Sequence, residues 1–271
     1  IIAAAMGSIG VFIFSMFLKI EIDLASVVEK QEAFRYVILF SSFTVIIIGA
    51  LVLYSMEDEQ KDQVKKNSSI NSIKNIKSVL KIKSVWLMMM IIMSAYVGYK
   101  LTDIYSLYAS EVMLYNQIEA AEIGALQLYL RPLVCIVIGF LADKTSNIRW
   151  IIIGFLIMLI GALLFASGII TSSMNIIFLL SLIITAVGTY AIRALYFAVF
   201  NEGRIPLDLT GTAVGIISII GYTPDIFATP IIGYLLDTYP GIVGHQYVFM
   251  MLIIFSILGI FASIKFSKLI S

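Results

Sequence analysis

Along the chain, apolar residues gather into continuous runs of roughly 20, the length a helix needs to cross about 30 Å of hydrocarbon. Runs near 1 to 18, 34 to 54, 85 to 108, 122 to 142, 149 to 169, 174 to 200, 210 to 236 and 246 to 267 predict about eight transmembrane helices. The runs are continuous rather than alternating, which favours helices over a β-barrel, and a helix satisfies its own backbone polar groups in lipid. An all-α membrane protein is therefore expected.

Composition strengthens this reading. Apolar residues make up 61% of the 271 positions and charged residues 13%, whereas a soluble domain is about half apolar and a quarter charged. Mean hydropathy is +1.02. With a net charge of +1, no global field favours nucleic acid. The single cysteine, Cys135, excludes an intrachain disulfide and a cysteine-ligated zinc site, and no metal or cofactor is expected. The chain begins at Ile1 inside an apolar run, with no initiator Met and no basic leader, so truncation at the N-terminus is expected.

Charge in the connections predicts orientation. The stretch from Met56 to Ser84 carries Lys61, Lys65, Lys66, Lys74, Lys77, Lys81 and Lys83. Later connections on the same side carry Lys144, Arg149 and Arg204, and the tail carries Lys265 and Lys268. That side, with the C-terminus, is expected to be cytoplasmic. The connections near 109 to 121, 170 to 173 and 237 to 245 hold no Lys or Arg, although the one near 19 to 35 holds Lys19, Lys30 and Arg35. His245 is expected in the last of these exterior connections, as a surface residue.

The expected organisation is two helices in 1–55, a cytoplasmic linker in 56–84 and a six-helix bundle in 85–271. In the linker, Ile70, Ile73, Ile76 and Leu80 share one helical face while Lys74, Lys77 and Lys81 occupy others. Such a helix either lies in the membrane surface or packs on the bundle.

The fourth helix ends in Gly139-Phe140-Leu141-Ala142-Asp143 and the seventh in Gly233-Tyr234-Leu235-Leu236-Asp237. Both read G-[FY]-L-x-D, on opposite membrane faces, as an inverted three-helix repeat produces. Together with Lys144, the first of these resembles the loop signature of the major facilitator superfamily, through Gly139, Leu141, Asp143 and Lys144. Ser146 and Asn147 depart from it, where that family prefers a glycine and a base. The resemblance implies a helical bundle with inverted three-helix repeats, of which this chain supplies helices five to twelve. It implies that Asp143 steadies one closed state by touching neighbouring helix ends and bases.

Ionisable groups inside a bilayer are costly and normally face a cavity or a partner. Lys100 and Asp103 lie in the third helix, Arg131 in the fourth, Arg193 in the sixth and Asp225 in the seventh, while the second, fifth and eighth carry none within their apolar spans. The resemblance makes the charged helices cavity-lining and the others lipid-facing. Tyr96, Lys100 and Asp103 share a face, and Gln127 sits one turn from Arg131. Lys100 and Asp103 also have the spacing of a self-neutralising pair, and Arg131 is a candidate partner of Asp103 or Asp225. Pro224 and Pro230 are candidate kinks, and Gly211 and Gly215 have the small-xxx-small spacing of a packing face.

Three buried bases against two acids favour an anion, because guanidinium groups hold carboxylate or phosphate in a bidentate way. The expected function is a monomeric carrier of a small solute, an organic anion first, with Lys100, Arg131, Arg193, Tyr96 and Gln127 binding and Asp103 or Asp225 carrying a coupling proton. Alternatives are a proton-coupled carrier of a neutral or cationic compound and a solute sensor of the same fold. An enzyme is not expected: there is no HExxH, serine-nucleophile or nucleotide-binding motif.

Overall fold

Residues 2–18, 26–55, 68–200 and 202–270 are described by the structure, a computed structural model. Lys19, Lys61, Lys65 and Lys66, with the first half of the linker, lie outside these residues. The chain forms two compact units, Ile1–Ser68 and Ser69–Ser271. Among the described residues every regular element is helical, and seven helical segments are long and apolar enough to cross a membrane. The protein is an all-helical membrane protein.

The first unit contains α1 (Ile2–Leu18) and α2 (Val27–Ser55). Helix α1 has 17 described residues. Helix α2 starts seven residues before the expected 34 because Ser26 and Glu29 form a capping box: Ser26 N donates to Glu29 Oε2 at 2.8 Å and Glu29 N to Ser26 Oγ at 3.3 Å. Lys30 and Arg35 therefore sit on a helix instead of in a connection. Phe17 stacks on Tyr36 with ring centroids 4.0 Å apart.

The second unit begins within α3 (Ser68–Leu80) and continues through α4 (Lys83–Leu101), α5 (Tyr105–Glu111), α6 (Gln117–Asp143), α7 (Asn147–Ala166), α8 (Asn175–Leu195), α9 (Thr210–Gly221), α10 (Pro224–Thr238) and α11 (Ile242–Ile270). Two expected spans are broken. A 3-10 turn over Thr102–Ile104 separates α4 from α5, with Thr102 Oγ1 donating back to Tyr99 O at 2.7 Å. Tyr222 and Thr223 separate α9 from α10, and Pro224, which has no N–H to give to a preceding turn, opens the new helix. Pro230 and Pro132 instead lie inside continuous helices. Helix α6 also starts early, at Gln117, because Asn116 Oδ1 accepts from Ile118 N and Glu119 N while Glu119 returns a carboxylate to Asn116 N.

Packing in lipid depends on close van der Waals contact, since tails are as apolar as leucine. Helices α7 and α8 meet through glycines. A Cβ on Gly188 would stand 2.5 Å from Met158 N and 2.7 Å from Gly154 O. Around that crossing Phe155, Met158, Ala162, Leu182 and Ala186 are fully buried. Gly211 and Gly215, expected to pack, do not: a methyl group added at either would meet nothing within 4 Å among the described residues.

His245 departs from its expected surface position. Gly241, at φ +76, turns the chain, α11 starts at Ile242, and His245 is fully buried on its second turn. Its Nε2 lies 3.0 Å from Glu111 Oε2 at the end of α5, and its ring meets Tyr108 edge-on at 5.0 Å.

Candidate functional site

Helix α4 presents two tyrosines three residues apart, Tyr96 and Tyr99, with rings 5.7 Å apart on one side of the helix. The interior bases of the second unit gather around them. Arg193, from the last turn of α8, lies over Tyr99 with Cζ 3.5 Å from the ring centre, and 5.5 Å from that of Tyr96. Arg131, from the middle of α6, reaches the same Tyr99 ring at 5.5 Å. Cation–π contact of this kind contributes about 1–2 kcal/mol when partly desolvated.

Asp225 enters from the first turn of α10. Its Oδ2 accepts from Tyr96 Oη at 2.9 Å and its Oδ1 lies 3.2 Å from Lys100 Nζ. Lys100 thus pairs across to α10, not with Asp103. Asp103 lies beyond the end of α4, in the 3-10 turn that follows Leu101. The break before Pro224 seats the neighbouring Tyr222, whose ring meets Tyr96 edge-on at 4.7 Å and whose hydroxyl lies 3.4 Å from that of Tyr196. Gly221 makes this approach feasible, since a Cβ there would stand 2.5 Å from Ile92 Cγ2 on α4.

Asp103 lines a cavity of about 350 Å³ with Tyr99, Thr102, Ser106, Gln127, Arg131 and Tyr190. Gln127 is buried, with 3% of its surface exposed; its Oε1 accepts from Tyr190 Oη at 3.0 Å, while its Nε2 has no partner. Arg193 Nη1 is likewise buried without a partner. An orphaned buried donor costs free energy that a ligand acceptor recovers. Among the described residues neither arginine is within ion-pair distance of a carboxylate; aromatic faces hold both.

All seven expected interior residues, Tyr96, Lys100, Asp103, Gln127, Arg131, Arg193 and Asp225, therefore fall in one connected set spanning α4, α6, α8 and α10. Sequence reasoning missed Tyr99, which joins the two arginines, and Tyr190 and Tyr222. Only the helical spacing of Tyr99 from Tyr96 and Asp103 signalled it.

The loop motif stands apart from this set. Asp143 closes α6, Lys144 follows it, and a Cβ on Gly139 would meet nothing within 4 Å among the described residues. No ion pair involving Asp143 forms among the described residues. The contact across this end of the unit is made by Asn147, whose N and Nδ2 donate to Glu202 Oε1 at 3.2 and 2.8 Å. Ser84 Oγ donates to Gly203 O at 2.8 Å and Arg204 to Ile270 O at 2.7 Å, so the connection after α8 is tied to the starts of α4 and α7 and the end of α11.

The sequence profile of the Major Facilitator Superfamily matches residues 1–228. Two inner membrane proteins of Escherichia coli K12 are similar to the chain. YqcE is 28% identical over 233 residues, covering 82% of this chain and 54% of that protein. YihN is 27% identical over 248 residues, covering 88% of this chain and 58% of that protein. The chain spans somewhat over half the length of these relatives.

Proposed function

This chain belongs to the major facilitator superfamily, and from that premise we propose that it works as a secondary active transporter of a small organic anion by alternating access. One observation carries the choice of anion. Among the described residues, only Lys100 of the three interior bases is matched by a carboxylate; Arg131 and Arg193 rest on Tyr99, and Arg193 Nη1 is buried with no hydrogen-bond partner. Such donors take a carboxylate or phosphate. Gln127 Nε2 and the hydroxyls of Thr102, Ser106 and Tyr190 in the adjoining cavity suit a solute that also carries hydroxyl or carbonyl groups.

Asp103 is the carboxylate this reading assigns to a coupling proton, because it lines the cavity without an ion-pair partner among the described residues. Asp225, held by Tyr96 and Lys100, acts instead as a latch between α4 and α10. The breaks at Thr102–Ile104 and Tyr222–Thr223 flank the arginine site and give the bundle places to bend. The lysine-rich end faces the cytoplasm of a cell whose inner or plasma membrane holds the protein.

Transport by Lys100→Ala, Arg131→Ala and Arg193→Ala tests the anion site. Loss of anion uptake in the two arginine variants is expected; normal uptake of an identified substrate by all three would rule the site out. Asp103→Asn is expected to remove pH-driven uptake while sparing exchange, and retained pH-driven uptake would rule out its role as proton carrier.

A further inference from the structure

At the lysine-rich end of the second unit, a groove of about 450 Å³ opens between the start of α4 and the end of α11. Its walls are Lys83, Trp86 and Leu87 from α4 and Lys265, Lys268 and Leu269 from α11. Three ammonium groups on two helices thus surround a mainly apolar floor, and among the described residues no carboxylate lines it. Among the described residues none of the three lysines forms an ion pair. Lys265 Nζ lies 4.4 Å from the centre of the Phe261 ring, so an aromatic face rather than a carboxylate holds its charge.

Trp86 has its one polar atom already satisfied. Its Nε1 donates to Leu80 O at 2.9 Å, while 51% of the residue is exposed. The indole therefore offers a ring face, at the level where tryptophan sits between hydrocarbon and headgroups. No side chain caps the first turn of α4, whose positive end adds to the field of Lys83.

Helix α3 continues the same surface. It is fixed to the bundle through the fully buried Val79, yet Ile76 and Leu80 stay 41% and 36% exposed beside Lys74, Lys77 and Lys81. A helix packed on the bundle as a solvated linker would hide those residues and leave its lysines in water; one lying in the membrane surface exposes both to lipid.

From this convergence of three lysines with no carboxylate partner among the described residues, an indole face and an apolar floor we infer that the groove is a binding site for an anionic phospholipid, its phosphate among Lys83, Lys265 and Lys268 and its upper acyl chains along Trp86, Leu87 and Leu269. A soluble anion would find the charge but gain nothing from the apolar floor, and a zwitterionic lipid would find the floor but lose much of the charge. The site is separate from the solute site around Tyr99 and does not depend on what solute is carried.

The chain has two tryptophans, Trp86 and Trp150, so Trp150→Phe leaves Trp86 as the reporter. In that background, reconstituted into phosphatidylcholine vesicles, bromine-labelled phosphatidylglycerol should quench Trp86 with an affinity about tenfold above that of bromine-labelled phosphatidylcholine. The combined Lys83→Ala, Lys265→Ala and Lys268→Ala substitutions should bring the two lipids close to parity. The single Lys268→Ala, at an exposed position, should give an intermediate ratio, so the inference does not hang on the triple variant folding. Removing two bases elsewhere on the same end, Lys144→Ala and Arg149→Ala, should leave the preference in place. Equal quenching by both lipids in the parent, an unchanged ratio in the groove variants, or an equal loss in the second set would overturn the site. Displacement of the labelled lipid by millimolar glycerol phosphate alone would show a soluble-anion site and overturn the lipid assignment.

Discussion

Substituting Gly188 with alanine should damage the scaffold that holds Arg193, and the size of the effect follows from the crossing of α7 and α8. The new Cβ would lie 2.5 Å from Met158 N, 2.7 Å from Gly154 O and 2.9 Å from Met158 Cα. All three are backbone atoms, so no side chain can rotate away, and the helices must separate by about 1 Å to reach an ordinary contact of about 3.5 Å. A gap of that size forfeits roughly a quarter to a half of each pairwise attraction of about 0.1–0.2 kcal/mol. Over some 50 atom pairs, on the order of one buried leucine's contacts, the loss is about 2–3 kcal/mol, within the usual range for overpacking. The midpoint of thermal unfolding of the purified protein should fall by about 5–10 °C. Gly211→Ala and Gly215→Ala are the controls. Each methyl would meet nothing within 4 Å, and alanine favours a helix over glycine by up to about 1 kcal/mol, so their midpoints should hold or rise. An unchanged midpoint for Gly188→Ala, or an equal fall in the controls, would refute the glycine-mediated packing.

Three further outcomes are expected. Lys100→Ala and Asp225→Asn remove the same pair, so in uptake assays the double variant should be no worse than the worse single one; additive losses would mean that the two act separately. Gln127→Leu removes a buried amide whose Nε2 is unpartnered, so it should weaken solute binding by about tenfold or more. The same variant takes the acceptor from the Tyr190 hydroxyl, so the melting midpoint without solute should fall as well, and undiminished affinity would exclude Nε2 from the site. His245, the only histidine in the sequence and fully buried, should resist modification by diethyl pyrocarbonate in the folded protein and react on denaturation. Fast modification of the native protein, followed by peptide mass spectrometry, would return it to the surface.

Much of the bundle was legible because a bilayer demands long apolar runs, and a window of hydropathy measures just that. Helix starts were less legible to hydropathy, since α2 and α6 begin in polar residues, yet Ser26-x-x-Glu29 and Asn116-x-x-Glu119 carry the capping pattern that extends them. The set of interior charges was legible from their cost in lipid. Their pairing was not, because Lys100 meets Asp225 from another helix, α10, which opens at a break that no single-helix spacing encodes. Tyr99 matters because two arginines from other helices meet on it, which its spacing within α4 does not encode. His245 escaped because a tight turn at Gly241 starts α11 four residues before the expected 246. The spacing of Gly211 and Gly215 matched a packing motif, but spacing alone does not supply a neighbour.

Uptake into sealed vesicles containing the purified protein, using labelled carboxylate and phosphate solutes with a matched neutral set, is the most direct measurement. The two arginines held by Tyr99 without carboxylate partners among the described residues predict that at least one anionic solute accumulates or exchanges, and that Arg131→Ala and Arg193→Ala abolish this. Binding without accumulation or exchange, or uptake confined to neutral solutes and unaffected by either arginine substitution, would contradict an anion carrier built on these residues.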